Sequence, residues 1–545
     1  MLNLASLHEA LAAAFPEREC IVFRDRRLTW GDVTERSRRL ADVLRRAGLG
    51  LRRERAALAN HECGQDPVAL YLYNGNEYLE GMLGAMKARA VPFNVNWRYV
   101  DEELLYLFRD ARARAVIYHE RFAPVLERIR PELPGLELLL QVADGSGHGL
   151  LPGAIDYEAA LAAAEPAAPR DLSPDDLYVL YTGGTTGMPK GVLWRQADIF
   201  TAALAPRSVP PQVDALVERA RRRPGPRCLP APPFMHGAAH WVSFSMWHVG
   251  GTIVVQSETE RLDPHDVWAT VERERVEALT IVGDAFAAPL LEALAEKTYD
   301  LGSLRLLTSG GAILSATRKA ELLRRIPGMK ILDALGSSES GQQASQVTEA
   351  GGTPTTGDFV MVDDNAILDD DQSAELAPGS GAEGWLAKRG AVPLGYLGDA
   401  EKTARTFPVV NGVRYSVPGD RAVAEAGGRL RLLGRASVTI NSGGEKIFAE
   451  EVEHALKHHP DVRDAVVVGT PHERFGQQVT ALVELRAGAA RDESALRATV
   501  REHLAAYKVP RAFVFVAKVL RAPSGKTDYR WAVAEARSAL TTPSA

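Results

Sequence analysis

The residues best suited to chemistry crowd into one stretch, Tyr181-Thr182-Gly183-Gly184-Thr185-Thr186-Gly187-Met188-Pro189-Lys190-Gly191. Glycines let a backbone approach a ligand closely and turn its N–H groups outward. Here Gly183, Gly184 and Gly187 are interleaved with the hydroxyls of Thr182, Thr185 and Thr186, and Lys190 adds a cation. So many donors in one loop suit phosphate. The spacing is not that of a P-loop, which has a longer spacer before its Gly-Lys and then opens a helix. In this chain Pro189 precedes the lysine, and the apolar run GVLW continues as a strand. A carboxylate, Asp420, follows Gly419. One carboxylate can accept two hydrogen bonds, which suits a vicinal diol.

Together with several later segments, this loop resembles the adenylate-forming (acyl-activating, AMP-binding) superfamily, which includes acyl-CoA synthetases, peptide-synthetase adenylation domains and luciferases. Residues 230–240, PAPPFMHGAAH, resemble the family's next motif. The resemblance sets His236 beside an acyl tunnel. Gly237, Ala238 and Ala239 leave room there for a substrate, and Trp241 and Phe244 wall it. Residues 308–314, TSGGAIL, look like the glycine turn that borders both the adenine and the acyl pocket, which assigns Gly310, Gly311 and Ala312 to it. Residues 333–341, DALGSSESG, resemble the following motif and bring in Asp333, Gly336, Ser337 and Ser338. Glu339 matches the acid that, with Thr182, holds Mg²⁺ near the phosphates; magnesium usually takes one or two carboxylates plus phosphate oxygens. Leu335 stands where many relatives carry a tyrosine stacked on adenine, so adenine must rest on other apolar contacts.

By the same resemblance Asp420 takes the ribose hydroxyls, and Arg435 reaches the ribose or phosphate. Ile440–Phe448, INSGGEKIF, with Gly443, Gly444 and Lys446, lines the pantetheine tunnel. Ser437 falls at the hinge. Arg521-Ala522-Pro523-Ser524-Gly525-Lys526 resembles the family's C-terminal catalytic motif, which implies that Lys526 bridges the substrate carboxylate and the α-phosphate. The implied reaction is that of an ATP-dependent acyl-CoA ligase: acid, ATP and coenzyme A give acyl-CoA, AMP and pyrophosphate through an acyl-adenylate. The variants LGSSESG and INSGGEK look closest to actinobacterial ligases for steroid side-chain acids and fatty acids, so a bulky apolar acid is favoured. Loading of a carrier protein and activation of a small aromatic acid are the enzymatic alternatives. A catalytically silent nucleotide-binding relative belongs to another class, and the presence of Lys190, Glu339, Asp420 and Lys526 argues against it. A homodimer is the oligomeric expectation.

The elements that must position these residues read as α/β. Thr29 caps a helix carrying Val33, Leu40 and Leu44 on one face, with Gly48 as its stop. A helix is expected over 78–89, with strands at 91–95, 115–118, 177–181, 191–194, 252–256 and 304–308. Helix-covered sheets follow from that alternation. Stretches 163–174 and 205–211 read as loops, and Arg221–Arg223 as a solvated loop. The segment 205–228 is a candidate cover for the acyl entrance. A boundary near 435 separates a large unit, 1–434, from a small mobile one, 435–545, with a helix at 449–458, strands at 464–469 and 478–485, and a helix bearing Leu496, Val500 and Leu504. The last dozen residues read as a frayed tail.

Composition bounds the partners. The 545 residues are 46% hydrophobic and 25% charged, an ordinary globular balance. A net charge of −6 leaves no basic footprint for nucleic acid. Three scattered cysteines, Cys20, Cys63 and Cys228, offer neither a disulfide framework nor a zinc site. No apolar run approaches the roughly 20 residues of a membrane span. The opening residues lack a signal-peptide pattern, so the cytoplasm is the expected compartment.

Overall fold

The computed structural model describes residues 2–182, 188–206, 209–435, 438–442, 445–472, 475–504, 506–522 and 525–541. The helix read from Thr29 is Trp30–Arg46. Thr29 Oγ1 accepts from the Asp32 N–H (3.1 Å), and the Asp32 carboxylate accepts from the Thr29 N–H (2.8 Å). Such a reciprocal cap is worth about 1 kcal/mol. Val33, Leu40 and Leu44 are fully buried, each contributing roughly 2 kcal/mol of apolar burial. They pack against the helix Asn76–Lys87 so closely that a Cβ on Gly84 would lie 2.5 Å from Leu40.

These two helices are the middle of five layers. On one side stands an all-parallel sheet of Val91–Asn94, Pro67–Tyr71, Ala115–His119, Leu138–Val142 and Ile155–Asp156. Side chains alternate across a strand. Val68, Leu70, Ile117 and Leu140 therefore face the middle helices. Ala69, Tyr71, Val116 and Leu139 face an outer layer that includes Leu104, Phe108 and Leu126. On the other side lies a long sheet whose parallel core runs Glu19–Phe23, Thr252–Val255, Arg227–Pro230, Ala278–Ile281, Leu306–Gly310 and Lys330–Ser337. Its far face buries Leu229, Leu279 and Leu307 against the helices Pro264–Arg273, Gly283–Glu296 and Ala316–Arg325. From Gly341–Thr348 onward it continues antiparallel, through Asp358–Met361, Arg429–Arg435 and Asp420–Ala424. Leu177–Thr182 and Lys190–Arg195 form an antiparallel hairpin edged by Gly395–Tyr396.

After residue 438 a separate sheet forms from Thr439–Ser442, Glu445–Phe448, Val462–His472, Gly476–Leu485 and Ala512–Val516. One face buries Val467, Ala481 and Val483 under the helices Ala449–Leu456 and Glu493–His503. The other buries Val466, Val468 and Leu482 against Ala532 and Ala536.

Two readings need correction. Ala532 and Ala536 belong to a helix, Tyr529–Thr541, so much of the expected frayed tail is ordered; a small-residue stripe seated on a β-face was mistaken for composition alone. Arg221 and Arg222 end a helix, Val213–Arg222, that buries Leu216 and Ala220 toward the first helix, Leu4–Ala14. Arg18 donates to the Ala220 carbonyl (2.8 Å). The charges occupy the last turn, where cations complement the helix dipole, so Arg221 and Arg222 belong to a docked helix rather than to a loop. Among the described residues no helix is long and apolar enough to cross a membrane.

Candidate functional site

The hairpin Leu177–Thr182/Lys190–Arg195 sets two candidate residues side by side, because Thr182 and Lys190 are paired across it. Gly183, Gly184, Thr185, Thr186 and Gly187 lie outside the described residues. The Lys190 ammonium meets Asp399 Oδ2 at 2.5 Å. Asp399 also caps the helix Ala400–Thr406 through the Lys402 N–H (2.9 Å). Three residues before it, the Tyr396 hydroxyl donates to Glu339 Oε1 (2.9 Å). Lys190 and Glu339 are therefore registered by one short segment, Tyr396–Asp399. Glu339 is half-buried, and a carboxylate holds more acceptor positions than this single bond uses.

A second set of contacts ties the hairpin to residues 230–240. Asn94 accepts from the Tyr181 N–H (2.7 Å) and donates to the carbonyls of Tyr181 and Met235 (2.8 Å each). Asn74 donates to the Pro232 carbonyl (3.0 Å) and accepts from the Phe234 N–H (2.6 Å). Both asparagines are buried. They hold His236 as the N-cap of the helix Gly237–Trp247.

His236 Nε2 is buried without a hydrogen-bond partner. Burial, then the charge of Lys526, pushes its pKa down to about 3, so the ring is neutral. That coupling brings together residues 290 positions apart. Behind His236, the His240 ring is held through Nδ1 to the Phe234 carbonyl (2.6 Å) and through Nε2 to the Tyr178 hydroxyl. A carbonyl only accepts, so Nδ1 carries the proton and Nε2 accepts from the tyrosine. The Trp241 indole N–H donates to the same hydroxyl (2.9 Å). Burial holds His240 near a pKa of about 4. A Cβ on Gly237 would meet Leu180 at 3.1 Å and the Trp241 ring at 3.3 Å. Phe244 packs inward on Trp247 (ring centroids 5.4 Å apart) and His248.

Among the residues expected on the nucleotide side, Leu306–Gly310 runs into Gly311, whose φ of +85° suits glycine. Gly310 lies against Ala334, its partner in the ladder. The turn Ser337–Ser340 is pinned by the pair of hydroxyls (2.9 Å), and the Trp194 indole donates to the Ser338 carbonyl (2.8 Å). Gly336 packs directly on Gly341. Leu335 joins the apolar cluster of Ala344, Phe359 and Leu430. The Asp333 carboxylate is engaged by Lys319 (2.8 Å) in a buried pair. Asp420 is buried directly opposite Arg435 in an antiparallel ladder. Ser437, Gly443 and Gly444 lie outside the described residues, as does the side chain of Lys446, on the strand Glu445–Phe448.

Lys526 ends a small hairpin. Arg521 and Thr527 bridge, and the Ala522 N–H donates to the Lys526 carbonyl (2.8 Å). Gly525, at φ +73°, presses on the large unit: a Cβ there would lie 2.8 Å from Val282 Cγ1. Beside this contact a cavity of about 580 Å³ opens between the two units, lined by Trp97, Arg98, Phe286, Arg463, Lys518 and Gly525 among others.

Asn74, Asn94, Tyr396, Asp399 and His240 were not singled out from the sequence. The asparagines did carry a signal, since each closes an apolar strand run (ALYLYN, VPFN) with a polar side chain that must find partners when buried.

The family model described as AMP-binding enzyme matches residues 8–397, and that described as AMP-binding enzyme C-terminal domain matches residues 451–526. The chain belongs to the AMP-binding enzyme family. It is 51% identical over 537 residues to the medium-chain acyl-CoA ligase Mig of Mycobacterium avium, covering 97% of each chain. It is 41% identical to a medium/long-chain-fatty-acid–CoA/3-oxocholest-4-en-26-oate–CoA ligase of Mycolicibacterium smegmatis, covering 97% of this chain and 96% of that one. The fold matches the anthranilate CoA ligase AuaEII bound to anthranoyl-AMP, with a TM-score of 0.83, 23% identity, and 99% and 98% of the two chains covered. It is the adenylate-forming enzyme fold, a large N-terminal domain with a small C-terminal one.

Proposed function

We propose that this AMP-forming acyl-CoA ligase takes a bulky apolar carboxylic acid, a medium- or long-chain fatty acid or a steroid side-chain acid, and that the residues gathered here divide its two half-reactions. The observation that carries the division is the buried, unpartnered Nε2 of a neutral His236, set where the charge of Lys526 is felt by the ring. The substrate class is supported by the relatives, which are named for such acids.

A carboxylate is a poor acyl donor because its oxygen is a bad leaving group. Attack on the α-phosphate of ATP converts that oxygen into part of AMP, and pyrophosphate leaves. Two anions must meet, so cations and N–H groups aimed at the charge developing in the transition state matter most. Lys526 supplies one cation between carboxylate and α-phosphate. Thr182, Lys190 and the glycine-rich loop between them hold the leaving phosphates. Neutral His236 can offer its free Nε2 to the carboxylate without adding charge. Asp420 and Arg435 hold the ribose, while Gly310, Gly311, Ala312 and the Gly336–Ser338 turn flank the base. Glu339, tethered by Tyr396 yet retaining acceptor capacity, is suited to a hard cation, and with Thr182 it would hold Mg²⁺, which supplies charge neutralisation at the phosphates.

Thioester formation then needs the CoA thiol at the acyl carbon and no longer needs Lys526. The joint at 434/435, pivoting at Ser437, lets the 435–545 unit turn so that Gly443, Gly444 and Lys446 line the pantetheine path. We place the enzyme in the cytoplasm, where ATP and CoA are supplied, and as a homodimer, which light scattering would check.

The test is incubation of the enzyme with ATP, Mg²⁺ and a panel of acids, with and without CoA, reading AMP and thioester by mass spectrometry. Octanoate, palmitate, a steroid acid with its carboxyl on the side chain and benzoate form the panel. AMP and acyl-CoA from the bulky acids are expected. Preference for benzoate overturns the substrate reading, and adenylate without thioester would point to an acceptor other than CoA.

A further inference from the structure

Lys526 itself is exposed, so something other than burial must present it at the right moment. Its hairpin hangs on Arg521, which forks onto Asp464 through Nε (2.7 Å) and Nη2 (2.8 Å) and reaches Thr527 Oγ1 (3.0 Å) through Nη1. Asp464 also meets Lys457 Nζ at 3.1 Å. Burial raises the Asp464 carboxyl, but Lys457 and Arg521 outweigh it and leave the group well below the usual carboxylate range. Lys457 then reaches across the joint toward Asp284 of the large domain, at 3.8 Å. Asp284 is fixed in turn: Oδ1 accepts from the Ser315 N–H (2.9 Å) and hydroxyl (3.1 Å), and its own N–H donates to the Ile313 carbonyl (2.9 Å). Ile313 is part of the glycine turn 308–314. Every side chain from Asp284 to Arg521 is less than one-fifth exposed.

The geometry points to Asp284–Lys457–Asp464–Arg521 as a relay of positioning residues that couples closure of the small domain on the glycine turn to presentation of Lys526 for adenylation. This rests on the adenylation role given to Lys526 above. Desolvated, forked ion pairs fix geometry in a way that exposed ones do not. A contrast lies alongside: Arg463–Glu292 (3.1 Å) also crosses between the domains, but both side chains are nearly half exposed. Its loss should matter little.

The test separates the half-reactions. Adenylation is followed as acid-dependent exchange of pyrophosphate into ATP, and thioester formation from synthetic acyl-adenylate and CoA. Lys457→Met, Asp284→Asn and Asp464→Asn should each lower the exchange kcat by about 10- to 100-fold. The KM values for ATP and acid should stay within about twofold, and so should thioester formation. Lys457→Arg should recover most of the exchange rate, and Glu292→Gln should retain it. Unchanged exchange in Lys457→Met, or a parallel fall of both half-reactions in the relay variants, would overturn the relay. Asp284→Asn, outside the small domain, keeps the test open if Asp464→Asn fails to fold. Lys526→Ala, run beside them, separates the two readings: exchange intact in that variant removes the role of Lys526, whereas exchange lost there but kept in the relay variants removes only the relay.

Discussion

The two sides of the site proposed above are built on opposite principles. The acyl side is buried and neutral: His236 and His240 are held uncharged by desolvation, and the polar atoms of His240, Tyr178 and Trp241 are satisfied by one another and by the Phe234 carbonyl. The phosphate side is half-exposed and charged, with Lys190 against Asp399 and Glu339 against Tyr396. The difference follows from what each must receive. An apolar chain is bound by area removed from water, and an unpaired charge nearby would cost several kcal/mol. A triphosphate must be met by charge that is already oriented but still reachable. On the assignment proposed above, pairing on the acyl side closes a surface, whereas pairing on the phosphate side would hold a cation until a stronger anion arrives.

Variants should therefore act on one side only. Lys526→Ala is the largest expected effect, a fall of about 10²- to 10³-fold in adenylation, with the ranking of acids by chain length preserved. A changed ranking would break the separation. Lys190→Met should raise the KM for ATP by about tenfold, the worth of one charge-assisted hydrogen bond, and leave the KM for the acid alone. Steady-state kinetics with each substrate varied in turn would check this. Gly237→Val is the mirror image. Its side chain crowds Leu180 and Trp241, and overpacking of this kind costs about 1–3 kcal/mol. It should raise the KM of bulky acids about tenfold with the KM for ATP unchanged.

The smallest effect is on stability. His236, at about 3, and His119, His240 and His248, at about 4, are depressed by burial. An unfolded histidine titrates near 6.5. The unfolded chain thus takes up protons below that value while the folded one does not. Stability is fully present above about pH 7 and is lost as pH falls from 6.5 toward 4. Each ring should remove roughly 1 kcal/mol between pH 7.5 and 5.5. Thermal melts at those two pH values, repeated on His248→Gln, should show a smaller drop in the variant.

The sequence by itself determined the local devices. The density of donors at 181–191, the Thr29 cap, the alternation of strands and helices and the glycine turns all depend on neighbours within a few positions, where spacing is geometry. The resemblance carried by the motifs then supplied the family and its expected fold. Where the reading failed, composition had been taken for conformation: the alanines of Tyr529–Thr541 and the arginines after Glu218 look like tail and loop until a β-face or a first helix is there to cover them.

Only the tertiary structure decided which distant group answers each polar one. Asn94 serves the Met235 carbonyl across 141 positions, and Lys190 meets Asp399 across 209. Periodicity tells which face is buried, but not which carbonyl will arrive beside a buried amide. Those partners are chosen by the stacking of whole layers, and once the layers stack, the cost of an unsatisfied buried group fixes the side chain in place.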